Sequence, residues 1–266
     1  MTAPKRTAYT GSAPAGPGLI YASSHITSPD LTPDVFNRWY NEHHIPDVLA
    51  TGAVSHAARW EVADRDPATR GPDPYLATYR VPDMRALQGE AFARIPMTHE
   101  LLPGGGGSGT AEGGEQEDVG GGKTVHGSVD IDTCFYELVE VFEKVKHDEA
   151  FATHIISAGM TPKDAAASDD MDRWYREEHN EQMSLEPGWI RSTRYKLAFH
   201  VKSVGGDKAA RGDAPEWMTL HEFGEGNTLG EKVAPLVPIS DWTRKVMGDM
   251  TSIEAYVWRR TKGWTK

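Results

Sequence analysis

What is scarce in this chain narrows it first. It holds one cysteine, Cys134, so no internal disulfide can form and a small disulfide-stapled secreted scaffold is excluded. No apolar run approaches the roughly 18 residues that would mark a membrane-spanning helix. Positive charge is in deficit: 28 Lys and Arg stand against 39 Asp and Glu, a formal net charge of -11. Such a surface repels phosphate backbones and anionic head groups, and no basic patch offsets it, so neither nucleic acid nor a membrane is an expected partner. A serine nucleophile has no support either, because the G-x-S-x-G elbow is missing. The opening MTAPKRTAYTGSAPAGPG lacks the continuous apolar stretch of a secretion signal. Residues 1–17 therefore read as a disordered tail, and the cytoplasm is the expected location.

What is present is a soluble, aromatic-rich composition: 38% hydrophobic, with 8 Trp, 9 Tyr and 7 Phe in 266 residues. That is enough apolar surface for folded cores. Two stretches, WYNEHHIP from Trp39 and WYREEHNE from Trp174, share Trp-Tyr-x-Glu-x-His. The offset that carries Trp39 onto Trp174 also carries Arg38 onto Arg173, Tyr40 onto Tyr175, Glu42 onto Glu177, His44 onto His179 and Arg59 onto Arg194. Matches at rare aromatics argue for a repeat. With short gaps, SSHI from Ser23 faces ATHI from Ala152, YLATYRV from Tyr75 faces WMTLHEF from Trp217, and TCFYELVEV from Thr133 faces TSIEAYVWR from Thr251.

Periodicity orders the elements. LIYASSHI is a mostly apolar run before turn residues, hence a strand. Thr32 then offers an N-cap with Pro33 at the first helical position, and Phe36, Tyr40 and His44 fall on one stripe of a helix ending near Ala50. Strands are expected at Val54–Val62 and Tyr75–Val81, and a second helix over Asp83–Arg94. The second half repeats this with Ser168 as N-cap, Met171, Tyr175 and His179 on the equivalent stripe, and a second helix within residues 228–247 interrupted near Pro235 and Pro238. Each half, 18–145 and 150–264, is thus a β-α-β-β-α-β unit of the α+β class. The glycine-rich excess of the first half, residues 103–123, cannot repay its ordering entropy and reads as a flexible loop. Within it, GGGGSG matches a dinucleotide-binding G-x-G-x-x-G only by letter, since no strand precedes it and no helix follows.

A sheet with helices on one face must cover the other, and two tandem copies can do so within one chain. The segments RWYREEH, PGWIRSTRYKL and APEWMTLHEF of the second half resemble the EthD-like branch of the dimeric α/β barrel superfamily of ferredoxin-like domains. The first half departs from the pattern, with Thr51-Gly52-Ala53 for the P-G-aromatic turn and Thr78-Tyr79-Arg80 for the L-H-E strand. The second half has Asn180-Glu181 where Ile-Pro usually follows the helix histidine. The resemblance implies two tandem ferredoxin-like units forming an intramolecular barrel, with a pocket between sheet and helices in each half. Its relatives include cofactor-free monooxygenases of aromatic polyketides, polyketide cyclases, decarboxylases, muconolactone isomerases and haem enzymes, so fold does not fix reaction.

Imidazole suits proton transfer near neutral pH, and His44 and His179 are expected to face the pocket side of their sheets. The bland alternative is a histidine hydrogen-bonded near its helix end. Strand alternation groups Tyr75, Ala77 and Tyr79, and likewise Trp217, Thr219 and His221. With His25 matched to His154, the second half is expected to converge His154, His179 and His221, and the first His25, His44 and Tyr79. Three histidines would suit a metal, but their separation carries no ligand-spacing signal, so neither metal nor cofactor is assigned. Tyr40, Tyr175, Tyr75 and Trp217 are expected to wall a cavity for a small hydrophobic, oxygenated substrate. Glu42 and Glu177, and the paired arginines, read as structural ties across helix and strand.

The expected function is a cofactor-independent enzyme of secondary metabolism. It would use histidine acid-base chemistry on a polyketide-like or terpenoid intermediate for cyclisation, decarboxylation or isomerisation. His179 and His44 would move the proton, and His221 or Tyr79 would hydrogen-bond a carbonyl or enolate oxygen. The alternatives are a cofactor-free monooxygenase of an aromatic polyketide and a non-catalytic small-molecule binder. Fusion makes a second chain unnecessary for barrel closure, so a monomer suffices.

Overall fold

A computed structural model describes residues 14–103, 123–148, 151–201 and 213–266. The expected tail and glycine-rich loop therefore lie, apart from their edges, outside the described residues. The described strands are β1 (Gly18–Ile26), β2 (His56–Val62), β3 (Tyr75–Val81), β4 (Val129–Glu143), β5 (His154–Pro162), β6 (Trp189–Val201), β7 (Trp217–Phe223) and β8 (Met250–Thr265). All pairings are antiparallel and the ring closes in the order β1-β3-β2-β8-β5-β7-β6-β4. Each half supplies four consecutive strands of that ring, and two seams, β2 with β8 and β4 with β6, join the halves. The α+β expectation and the closed barrel both hold.

Alternation along the strands turns one face of each into the ring and the other toward the helices. Leu19, Tyr21, Leu76, Cys134, Tyr136, Ile155, Met218, Leu220 and Trp258, drawn from both halves, pack into one buried interior cluster. A charged tie accompanies it. Arg80 of β3 donates to Glu222 of β7 and to the Tyr195 hydroxyl of β6, while Arg191 Nε donates to the other Glu222 oxygen at 2.9 Å. Glu222 is only 4% exposed, so one carboxylate serves guanidinium groups from both halves.

Outside the ring, α1 (Pro33–Trp39) starts as its sequence dictates, with the Thr32 hydroxyl accepting from Val35 N–H and Pro33 in the first turn. It continues through a π turn at Tyr40–His44 into α2 (Ile45–Ala50). Glycine closes this segment: Gly52 has φ +76°, and its counterpart Gly188 has φ +73° with Asn227 backbone so near that a β-carbon would collide. Two helical boundaries differ from expectation. Residues 83–94 break into a 3-10 turn at Met84–Gln88 and α3 (Glu90–Ala93), separated by Gly89 in an extended conformation, and Ser168 is not an N-cap. In the second half, α4 (Ala165–Trp174) is capped by Asp164, whose Oδ1 accepts from Ala167 N–H at 2.8 Å. Three alanines after a capping aspartate extend the helix one turn upstream, and the Ser168 hydroxyl instead accepts from Trp217 Nε1 at 3.2 Å. After a second π turn at Tyr175–His179 comes α5 (Asn180–Met183). Of residues 228–247, only α6 (Asp241–Gly248), capped by Ser240, is helical; the Pro235 and Pro238 stretch lacks the N–H groups a helix needs. No helix among the described residues is long and apolar enough to cross a membrane.

Candidate functional site

The repeated Trp-Tyr-x-Glu-x-His motif falls on the π turns. With 3.6 residues per turn, residues five apart diverge around an α-helix. Here Ile45 N–H reaches back to the Tyr40 carbonyl and Asn180 N–H to the Tyr175 carbonyl, so one extra residue is taken into the turn. The widened turn brings each tryptophan beneath the histidine five places on. Trp39 stacks on His44 with centroids 5.1 Å apart, and Trp174 on His179 at 4.2 Å. From the sheet below, Arg59 lies 4.0 Å from the Tyr40 ring centroid and Arg194 4.4 Å from that of Tyr175. Arg59 donates to Asn37 Oδ1 at 2.9 Å, and Arg194, 1% exposed, donates to Asp172 at 2.8 Å and Glu140 at 3.1 Å. The paired arginines are therefore structural ties, and Arg173 pairs with Glu177 on the helix surface at 3.5 Å.

In the second half this platform borders a cavity of about 760 Å³. Its walls are mostly apolar, with Ile156, Met160, Met183, Leu236, Met247 and Val257 among them, and His179, His221 and Tyr175 supply polar groups. The two imidazoles meet edge to face with centroids 5.5 Å apart, and Tyr175 lies 5.0 Å from His179. His221, 1% exposed, is oriented from behind: Ser192 Oγ sits 2.7 Å from its Nδ1 and accepts from Trp189 Nε1 at 3.1 Å. In the tautomer whose Nδ1 accepts from the serine hydroxyl, the His221 proton lies on Nε2.

Burial lowers the His179 imidazole from its usual 6.5 to about 4, with the Glu178 carboxylate opposing the shift and the Arg194 guanidinium adding to it. Burial, then the charges of His179 and Arg194, holds His221 well below 6.5. Both rings are thus neutral at pH 7, able to accept a proton or to donate through a neutral N–H, but not standing as imidazolium acids. Burial pushes the Tyr175 phenol up, so it too stays uncharged.

Sequence reasoning missed Glu178, Ser192 and Thr243. Glu178 accepts from Ser240 Oγ at 2.6 Å, Thr243 Oγ1 at 2.9 Å and Trp174 Nε1 at 3.2 Å, and the serine hydroxyl chiefly holds its carboxyl below the usual range. It fastens the π turn to the start of α6 and so fixes one wall of the cavity. Only its adjacency to the repeated histidine could have drawn notice.

The first-half counterparts have a different setting. Tyr40 and Tyr79 lie in an apolar cluster against which Phe92, Ile95, Met97 and Leu101 also pack, His44 stands edge-on to Tyr40 at 4.9 Å, and Tyr79 donates to the Tyr40 hydroxyl at 3.3 Å. Burial, then Arg59, lowers His44 to about 4, with the Pro96 backbone opposing. Tyr75 is half-buried with its ring 5.3 Å from that of Phe36, and Trp217 packs under Arg194 at 5.3 Å.

Two expected residues are not brought in. Pairing registers set Ala22 opposite Ala77 and Ala158 opposite Thr219, which makes β1 and β5 equivalent in a frame where His25 lies near the end of its strand and His154 begins its own. The SSHI and ATHI match was a coincidence of letters. His25 falls on the same alternation as Leu19 and Tyr21, away from His44, and contacts Asp73 at 2.9 Å. His154 hydrogen-bonds with Thr153 and Asn227, each at 3.1 Å, rather than with His179 or His221. The three-histidine convergence therefore reduces to a pair.

The lowered imidazoles carry a stability consequence. In the unfolded chain His44 and His179 take up protons near pH 6.5, in the native protein only near pH 4. Between these values the unfolded state binds more protons, so stability is full above about pH 6.5 and declines as pH falls toward 4. The loss is expected to approach about 3 kcal/mol per histidine at most. Urea midpoints at pH 7 and pH 4.5 measure it; equal midpoints would show that these rings titrate normally.

No protein-family model matches the chain. A solved structure described as an anthrone oxidase-like protein superposes with a TM-score of 0.53 at 11% identity, covering 93% of each chain. That likeness establishes the fold. Core atranone cluster protein 1 of Stachybotrys chlorohalonatus is 32% identical over 76 residues, which are 29% of this chain and 31% of that protein. The match thus spans under a third of the relative's length.

Proposed function

We propose that the chain is a cofactor-independent enzyme of secondary metabolism, a divergent EthD-like protein with tandem duplicated halves, in which the second half carries the active site. The observation behind this reading is the pair of neutral imidazoles, 5.5 Å apart, on the wall of a mostly apolar cavity of about 760 Å³. The volume and lining suit a planar, oxygenated polyketide-like or terpenoid intermediate. His179 accepts a proton from a carbon next to a carbonyl, and the Nε2–H of His221 donates to the oxygen on which charge develops. Return of the proton elsewhere on the conjugated framework completes an isomerisation, and attack of the enolate carbon on a second carbonyl closes a ring; in a β-keto acid, breaking the bond to the carboxylate releases carbon dioxide and leaves the same enolate, which a proton then quenches. The names of the two relatives, an anthrone oxidase-like protein and a core protein of a metabolite cluster, support the substrate class.

The test incubates the protein with planar phenolic ketones in deuterated buffer while oxygen is monitored. Deuterium entering the carbon next to the carbonyl, without oxygen uptake, is the expected result. Stoichiometric oxygen uptake would replace this reading with a cofactor-free monooxygenase, and saturable binding with neither exchange nor uptake would replace it with a carrier.

A further inference from the structure

On the far side of the sheet from the histidine pair, a second group of chemistry-bearing side chains gathers where β4 meets β6. Asp132 and Cys134 are two apart on β4, hence on one face, and His200 of β6 stands opposite Cys134 in the strand register. Phe135 and Phe199, one residue off in each strand, stack on the other face with centroids 4.1 Å apart, which confirms the alternation. One carboxylate oxygen, the thiol sulfur and one imidazole nitrogen all lie within 4.8 Å of one another, and His200 Nε2 is 2.6 Å from Asp132 Oδ1.

We propose that Asp132, Cys134 and His200 form a binding site for a borderline-soft divalent cation, zinc foremost, at the seam between the two halves. A tetrahedral zinc ion with bonds of about 2.0–2.3 Å needs its donor atoms about 3.5 Å apart, a spacing these side chains reach by small rotations. The donor set discriminates: thiolate and imidazole with one carboxylate favour zinc, whereas magnesium and calcium call for oxygen alone. Access and charge agree. Asp132 and Cys134 line a cavity of about 270 Å³ together with Asp73, Asp213 and Glu254. Burial, then the charges of Asp132 and Asp73, raises the Glu254 carboxyl. Because the ligands come from both halves, the ion bridges the β4 and β6 seam and stabilises the closed ring.

Chelator-treated protein titrated with cobalt(II) tests the proposal. Cys134 is the sole cysteine, so a thiolate-to-cobalt charge-transfer band in the near ultraviolet can come from no other residue. The expected result is a band saturating at one equivalent, displaced by zinc, abolished in Cys134→Ser and requiring at least tenfold more metal in His200→Gln and Asp132→Asn. Circular dichroism shows that each variant is folded. No band in the folded wild-type protein, or an unchanged titration in both His200→Gln and Asp132→Asn, would overturn the site. If the variants do not fold, alkylation of Cys134 in the wild-type protein decides: zinc must slow it at least tenfold, and equal rates with and without zinc refute the proposal.

Discussion

Replacing His179 with alanine is expected to lower turnover by about a hundredfold to ten-thousandfold while leaving the protein folded. The imidazole is stacked on Trp174 and edge-on to His221 at the cavity wall, and burial keeps it unprotonated at pH 7, the state a general base needs. The first-half counterpart is expected to behave in the opposite way. His44 lies among close-packed apolar side chains, so His44→Ala should cost about 1–3 kcal/mol of stability and leave turnover per folded molecule intact. Kinetics and denaturation of both variants, with the substrate fixed by deuterium exchange, separate the roles. Unchanged turnover in His179→Ala would make the duplicated motif packing in both halves and turn the second-half cavity into a carrier's pocket.

The largest stability loss is expected from Glu222→Ala, about 3–5 kcal/mol. This carboxylate receives Arg80 from one half and Arg191 from the other inside a low-dielectric interior, and alanine removes the one charge that the two guanidinium groups share, leaving Arg191 its longer contact to Glu143 at 3.6 Å. Glu222→Gln, which keeps the shape and an acceptor, should lose less. Urea unfolding of the two variants gives the comparison, and a loss under about 1 kcal/mol in Glu222→Ala would show that the arginines find water or other acceptors at no cost.

Much of the scaffold was legible because it rests on local rules. Thr32-Pro33 announced a helix start, and alternation with β-branched and aromatic residues located Tyr75–Val81 and Trp217–Phe223 with their true ends. The repeated motif pointed to His179, and strand alternation to its neighbour His221. Other features had no local signature. A π turn is a change in hydrogen-bond span that residue identity does not encode, so the stacking of Trp174 under His179 could not be read from spacing. The match of His25 with His154 rests on two shared letters in SSHI and ATHI, whereas strand register is decided by the partner strand and its packing. Ser192 and the Asp132, Cys134 and His200 group find their neighbours only through pairings between strands, such as the separation of 68 residues between Asp132 and His200, and Glu178 only through the docking of α6 against its π turn.

The closed ring also constrains the order in which the chain can acquire its structure. β1 to β4 find one another within the first half, but the outer edge of β2 must wait for β8 and that of β4 for β6. Contacts across such long separations are closed late, after the loop entropy has been overcome. Until then the outer backbones of β2 and β4 present unsatisfied N–H and C=O groups, which are templates for another chain. The finished barrel has no such edge, so the molecule's exposure to mispairing is confined to the interval before its last strand docks.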